Sequence, residues 1–203
     1  GHSYSILKKL NNTGLLIGID RDSDAITAAT KKLSGFNNFK LVHDNNSNII
    51  NVLKELNIQG IDGMLLDLGV SSYQLDEADR GFSYMHDAKL DMRMNREDKF
   101  SAYNVVNEYS EEKLSFIFKE YGEERYAKNI ARNICKKRKE KEIETTFELV
   151  EIIKSSMPSK ALNEKQHPAK RVFQAIRIEV NEELIRLKQT IKDAVYSLNK
   201  CGR

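Results

Sequence analysis

Gly14-Leu15-Leu16-Ile17-Gly18-Ile19-Asp20 is the stretch that decides the fold. A short aliphatic run that closes on a carboxylate reads as a strand buried on both faces. Asp22-Ser23-Asp24 follow with good N-cap chemistry, and Ala25-Ile26-Thr27-Ala28-Ala29 opens a helix. The unit then repeats. Phe39-Lys40-Leu41-Val42-His43 predicts a second strand, and 47–56 predicts a helix with Ile49, Ile50, Leu53 and Leu56 on one face. Ile61-Asp62-Gly63-Met64-Leu65-Leu66-Asp67 predicts a third strand, ending like the first in Asp. Strands alternating with helices of about ten residues imply βαβ units and a parallel sheet, an α/β fold.

Beyond residue 80 the period changes. From Ser101 to Leu198 the pattern is helical, with helices expected at 101–108, 111–120, 124–140, 146–156 and 169–198. In the last stretch Val172, Ile176, Val180, Leu184, Leu187, Ile191, Ala194 and Leu198 form one apolar stripe, read as core, with a break near Asn181. Both prolines, Pro158 and Pro168, lie in a predicted loop at 157–168.

Composition narrows the class. The 203 residues carry 33 Lys+Arg against 30 Asp+Glu, and a net charge of +3 is too small to imply a nucleic-acid partner by itself. A hydrophobic fraction of 40%, arranged with clear periods, argues against disorder. No apolar run approaches the roughly 18 residues of a membrane span, and none resembles a signal peptide. Two cysteines, Cys135 and Cys201, build no disulfide framework, so a reducing, cytoplasmic setting is expected. His43, His86 and His167 with those cysteines show no zinc spacing, and no metal is expected.

Three features carry chemistry. Asp20 and Asp67 each end a predicted strand, where ligands bind in doubly wound sheets. An acid there accepts hydrogen bonds from ribose hydroxyls, or it merely caps the next helix; position alone leaves both open. Asp67-Leu68-Gly69-Val70-Ser71-Ser72-Tyr73-Gln74-Leu75 then delivers the second acid into a Gly- and Ser-containing loop. Finally, 125–141 holds eight basic residues (Arg125, Lys128, Arg132, Lys136, Lys137, Arg138, Lys139, Lys141) and one acid, Glu140. This is either a solvated helix end favoured by the helix dipole or a phosphate-binding stripe. Tyr73, Phe82, Tyr84 and Tyr121 are candidate stacking platforms for an unpaired base.

The blocks LLDLGVSSYQLD (65–76), RGFSY (80–84), LDMRM (90–94), YGEERYAKNIAR (121–132) and HPAKRVFQAIRIEVN (167–181) closely resemble one family. It is that of the bacterial S-adenosylmethionine-dependent methyltransferases of cytosine N4 in small-subunit (16S) ribosomal RNA. The resemblance covers essentially the whole chain. It implies a Rossmann-like methyltransferase domain, here 1–81 and 183–203, interrupted by an all-helical insertion at 82–182 that recognises RNA. It also implies a small-subunit 16S rRNA partner near the decoding site. Residue by residue, it implies that Gly1 and His2 end a glycine-rich loop facing the methionine end of S-adenosyl-L-methionine. Asp20 matches the ribose acid, and Asp67 and Gln74 match the acid and amide lining the cofactor site. A family aromatic beside the adenine falls at Asn46. Asp67 is the candidate catalytic acid, and Arg125, Lys128, Arg132, Lys136, Lys137, Arg138 and Lys139 become candidate RNA contacts. The resemblance further implies that the 203 residues belong to a longer domain, with a strand before Gly1 and further strands after Arg203.

Two other classes remain as rivals. An acid after a strand also suits a nicotinamide-dependent dehydrogenase, whose Gly-x-Gly-x-x-Gly turn is absent from these residues. The other rival is a non-catalytic RNA-binding module.

Overall fold

The computed structural model describes the backbone of residues 1–203 and every side chain except that of Ser72. In chain order the first elements are α1 (His2–Leu10), β1 (Leu16–Asp20), α2 (Ser23–Leu33), β2 (Phe39–His43), α3 (Ile49–Glu55) and α4 (Ser72–Asp76). Then come α5 (Ala102–Glu108), α6 (Glu111–Glu120), α7 (Ala127–Lys137), α8 (Thr146–Ser155), α9 (Ser159–Leu162), α10 (Lys170–Val180) and α11 (Glu183–Ser197). The fold is mixed α/β, with a parallel two-stranded sheet and many helices. Two compact units share the chain: Gly1–Asp67, Met94–Arg96 and Leu184–Arg203 in one, Leu68–Arg93 and Glu97–Glu183 in the other.

In the first unit β1 and β2 pair in parallel from Leu16 opposite Phe39 to Asp20 opposite His43. Asp22 caps α2 by accepting from the Asp24 N–H at 3.0 Å, as its position before the helix requires. The run 14–20 is half-buried rather than buried on both faces, with Leu15 47% exposed. The expected third strand does not form. Residues 61–64 instead spend their backbone groups on the chain around 197–203: Ile61 N–H donates to Ser197 O (2.9 Å) and Met64 N–H to Arg203 O (2.7 Å). Only one isolated parallel bridge results, Ile61 with Leu198. These contacts do not repeat with the two-residue period of a ladder, so the segment stays irregular.

The second unit is held by helix packing. Leu114, Ile117 and Phe118 of α6, Ile130 and Ile134 of α7, Leu149 and Ile153 of α8, and Val172 and Ile176 of α10 are almost wholly excluded from solvent. The expected helix 124–140 is shortened to Ala127–Lys137. Glu123 turns left-handed at φ 53°, and the Glu124 carboxylate accepts from the Tyr126 N–H at 2.8 Å, which delays the start. The long stripe 169–198 breaks where expected. Asn181 turns its amide to the Arg177 and Met92 carbonyls (2.9 and 2.7 Å), and Glu182 follows at φ 51°. Only the α10 half of that stripe is fully core, however, since Leu184 and Ile191 are about half exposed.

Residues 90–93 of the LDMRM motif interlock in the same unit. Arg93 grips Asp91 through two nitrogens (2.8 and 2.7 Å), and buried Arg80 donates to the Arg93 carbonyl at 3.0 Å. Burial works against the Asp91 charge, but the Arg93 hydrogen bonds outweigh it and hold the pKa below the usual carboxylate value.

Candidate functional site

Parallel pairing brings the carboxyl ends of β1 and β2 out side by side. The Asp44 N–H donates to the Asp20 carbonyl at 3.1 Å, so the turn after β2 lies against the turn after β1. Asp20 keeps an exposed flank, and its carboxylate accepts from the Asp22 N–H at 2.9 Å. The protein packed around that carboxyl pushes its pKa up. The Asp22 carboxylate adds to the rise, while the Asp22 and Arg21 N–H groups and His43 oppose it. Asn46 opens the short turn beyond β2, with its Oδ1 3.2 Å from the Thr190 hydroxyl of α11. That amide offers hydrogen bonds rather than a stacking face.

Gly1, His2 and Asp67 form a separate group. His2 Nδ1 donates to the Asp67 carboxylate at 3.0 Å, both side chains being well exposed. Gly1 lies beside Lys32. The Tyr4 ring meets Phe36 at 5.4 Å. Lys32 is in the last turn of α2, whereas Asp20 adjoins the first turn of the same helix. An eleven-residue helix spans roughly 16 Å, so Lys32 and Asp20 adjoin opposite ends of α2. Asp20 and Asn46 follow the ends of the two paired strands, whereas His2 meets Asp67. Leu7 of α1 is buried, and 61–67 has no ladder to carry Asp67 beside β1 and β2.

Gln74 belongs to the second unit and is almost fully buried. Its Oε1 accepts from the Ser71 N–H (3.0 Å), while its own N–H donates to Ser71 Oγ (3.2 Å). This capping box starts α4. The signature, Ser followed three residues later by Gln, stands in the sequence as a helix start.

The basic stretch separates into two kinds of residue. Ala127, Ile130, Ala131 and Ile134 bury one face of α7, and Lys128, Arg132 and Lys136 line an exposed face at successive turns. Among the described residues Lys128, Lys136 and Lys139 meet no carboxylate. Arg132 holds only Asn129 (2.7 Å), Arg125 lies 3.6 Å from Glu164, and Lys137 is 3.3 Å from Glu140. Arg138 is different. Its guanidinium donates to the carbonyls of Val106 (2.7 Å) and Tyr109, at the C-terminal end of α5. That side chain satisfies orphaned helix carbonyls and is not presented to an external phosphate, a correction to the sequence expectation. Lys141 likewise pairs with Glu148 at 2.7 Å.

The aromatic candidates also divide. Tyr73 is 52% exposed, whereas Phe82 is buried beneath the Arg80 guanidinium, 5.8 Å from the ring centre. Tyr84 stacks on His167 at 4.4 Å, and Tyr121 meets the exposed Phe116 edge-on at 6.1 Å. Among the described residues no three His, Cys, Asp or Glu side chains are grouped to hold a metal ion. No helix there is long and apolar enough to cross a membrane.

The sequence pattern of the MraW methylase family matches residues 1–203. A Clostridium botulinum protein (strain Loch Maree, type A3) named ribosomal RNA small subunit methyltransferase H is 61% identical over all 203 residues. Proteins of the same name from strains Kyoto (type A2) and 657 (type Ba4) are 60% and 59% identical over the same span. The chain spans 65% of the length of each of these curated relatives.

Proposed function

The chain belongs to the MraW methylase family, and from that premise we propose that it transfers a methyl group from S-adenosyl-L-methionine to a cytidine N4 amine. The substrate in this reading is 16S rRNA of the small ribosomal subunit, near the decoding site, and the setting is the cytoplasm. One observation carries it: a family match over every residue, together with about 60% identity to relatives whose names specify small-subunit rRNA methylation. In this reading 1–81 with 183–203 is part of a Rossmann-like methyltransferase domain, and 82–182 is a helical insertion that grips RNA.

The chemistry sets what the residues must do. The cytosine amine is a poor nucleophile because its lone pair is delocalised into the ring, so holding it in line with the donor is the main task. Positive charge develops on that nitrogen and a proton must leave it, for which a nearby carboxylate serves. Asp67 is assigned that role, with His2 as its partner. Asp20 is assigned the ribose hydroxyls. The target base must leave any helical stack to be reached, and the exposed Lys128–Arg132–Lys136 face of α7 is assigned the flanking phosphates.

The test is incubation of isolated small ribosomal subunits with the chain and methyl-labelled S-adenosylmethionine, followed by mass mapping. The expected result is label on N4 of a cytidine. No label, or label on another atom, overturns the reading. Full activity of Asp67→Asn with unchanged donor affinity would remove both roles from Asp67.

A further inference from the structure

Two of the blocks that carry the family resemblance, 121–132 and 167–181, have no part in the cofactor reading. They meet in the second unit. Gly122 brings them together: a Cβ there would lie 2.5 Å from the Arg171 carbonyl oxygen and 2.8 Å from that of Phe118. The turn at 122–126 therefore sits directly on the first turn of α10. Between them opens a pocket lined by Glu124, Arg125, Tyr126, Glu164, His167 and Arg171, among others.

Its polar groups are specific. Glu124 is only 4% exposed and uses one oxygen to accept from the Tyr126 N–H. The Arg171 guanidinium lines the same space and makes no hydrogen bond or ion pair among the described residues. His167 Nδ1 accepts from the Ala169 N–H at 3.2 Å, which places the proton of the neutral ring on Nε2. Burial, with Lys154 nearby, holds the His167 pKa low, so this ring is a neutral donor near pH 7. Tyr126 and the His167 ring, itself stacked on Tyr84 at 4.4 Å and within 7° of parallel, supply aromatic surface.

Two guanidinium groups against two carboxylates leave the lining without net charge. A bare phosphate or carboxylate ligand would therefore meet Glu124 and Glu164 as well as the arginines. A flat, neutral group with donors on one edge and acceptors on another suits the set better. Guanine has both: N1–H and N2–H for a carboxylate, and O6 with N7 for an arginine fork. We propose that this pocket binds one unpaired guanine of the substrate RNA, with Glu124 reading its donor edge and Arg171 its acceptor edge. The proposal rests on the RNA reading above and adds a base-specific context determinant apart from the methylated cytidine.

The experiment titrates the 203-residue chain with short fluorescent single-stranded RNAs that differ at one position: guanine, inosine or an abasic site. The chain is expected to prefer the guanine RNA over the abasic one by about tenfold or more, with inosine between them because it lacks the N2 amine. Arg171→Gln is expected to erase that preference while leaving the salt dependence of binding unchanged. Glu124→Gln is expected to do the same; should this buried change unfold the chain, the half-buried Arg171 variant decides. Equal affinity for guanine and abasic RNA overturns the proposal, as does a preference that survives Arg171→Gln. A salt slope lowered by about one in Arg171→Gln also overturns it, by showing a phosphate contact. RNA binding without guanine preference removes the pocket alone and leaves the methylation reading standing. Failure of every RNA to bind removes both.

Discussion

The two units bury their apolar residues to different degrees. In the second unit Phe118, Ile117, Ile134 and Ile153 are at most 1% exposed. In the first, β1 is half-buried from Leu16 to Ile19, and α11 shows Ile185, Val195 and Tyr196 at 66–76% exposure. Both stretches carry the same kind of apolar pattern in sequence. The difference lies in how partners are recruited. Helices α6, α7 and α8 pack in succession, each on the next, so periodic faces find one another locally. A parallel sheet needs partners delivered by crossovers, and only one such pair forms here.

That contrast can be broken at its strongest point first. Phe118→Ala should cost about 4 kcal/mol in urea denaturation, because it empties a closed core. Next, Asp91→Asn should cost about 2 kcal/mol by leaving the Arg93 guanidinium without its carboxylate. This effect depends on pH. The folded-state pKa of Asp91 is depressed, so its contribution is complete above the unfolded value of about 3.9 and is lost as pH falls through the lower folded value. The urea midpoint of the parent should therefore drop in that acid window by more than that of Asp91→Asn.

Within α7 and its end, Arg138→Ala should cost about 1 kcal/mol of stability by freeing the α5 carbonyls. Lys136→Ala should leave the melting temperature alone and lower the salt slope of RNA binding by about one. If the two variants behave alike, the division of the basic stretch into structural and presented residues is wrong. The smallest effect belongs to the open face of the first unit. Tyr196→Ala should change stability by less than about 0.5 kcal/mol, and a loss as large as that of Phe118→Ala would mean that this face is covered in solution.

The amino-acid sequence by itself determined the α/β class, the pair β1 and β2 and the helix α6. It also determined the break after α10 and the family, because short-range periodicity, caps and motif order are local properties. Gln74 was legible too: its spacing from Ser71 is that of a capping box, which the structure shows closed. Tertiary structure decided the rest. It left 61–67 without a ladder, since pairing depends on which backbone arrives beside it. It paired Asp67 with His2 and left Asp20 accepting from the Asp22 N–H, although both acids close the same kind of apolar run. It turned Arg138 inward to helix carbonyls while Lys136, two residues away, faces water. It also brought Glu124 and Arg171 to one pocket across 47 positions of sequence, held by the close approach that only a glycine at 122 permits. Charge, cap and period are written residue by residue; which side chains share a space is settled only by the packing of distant elements.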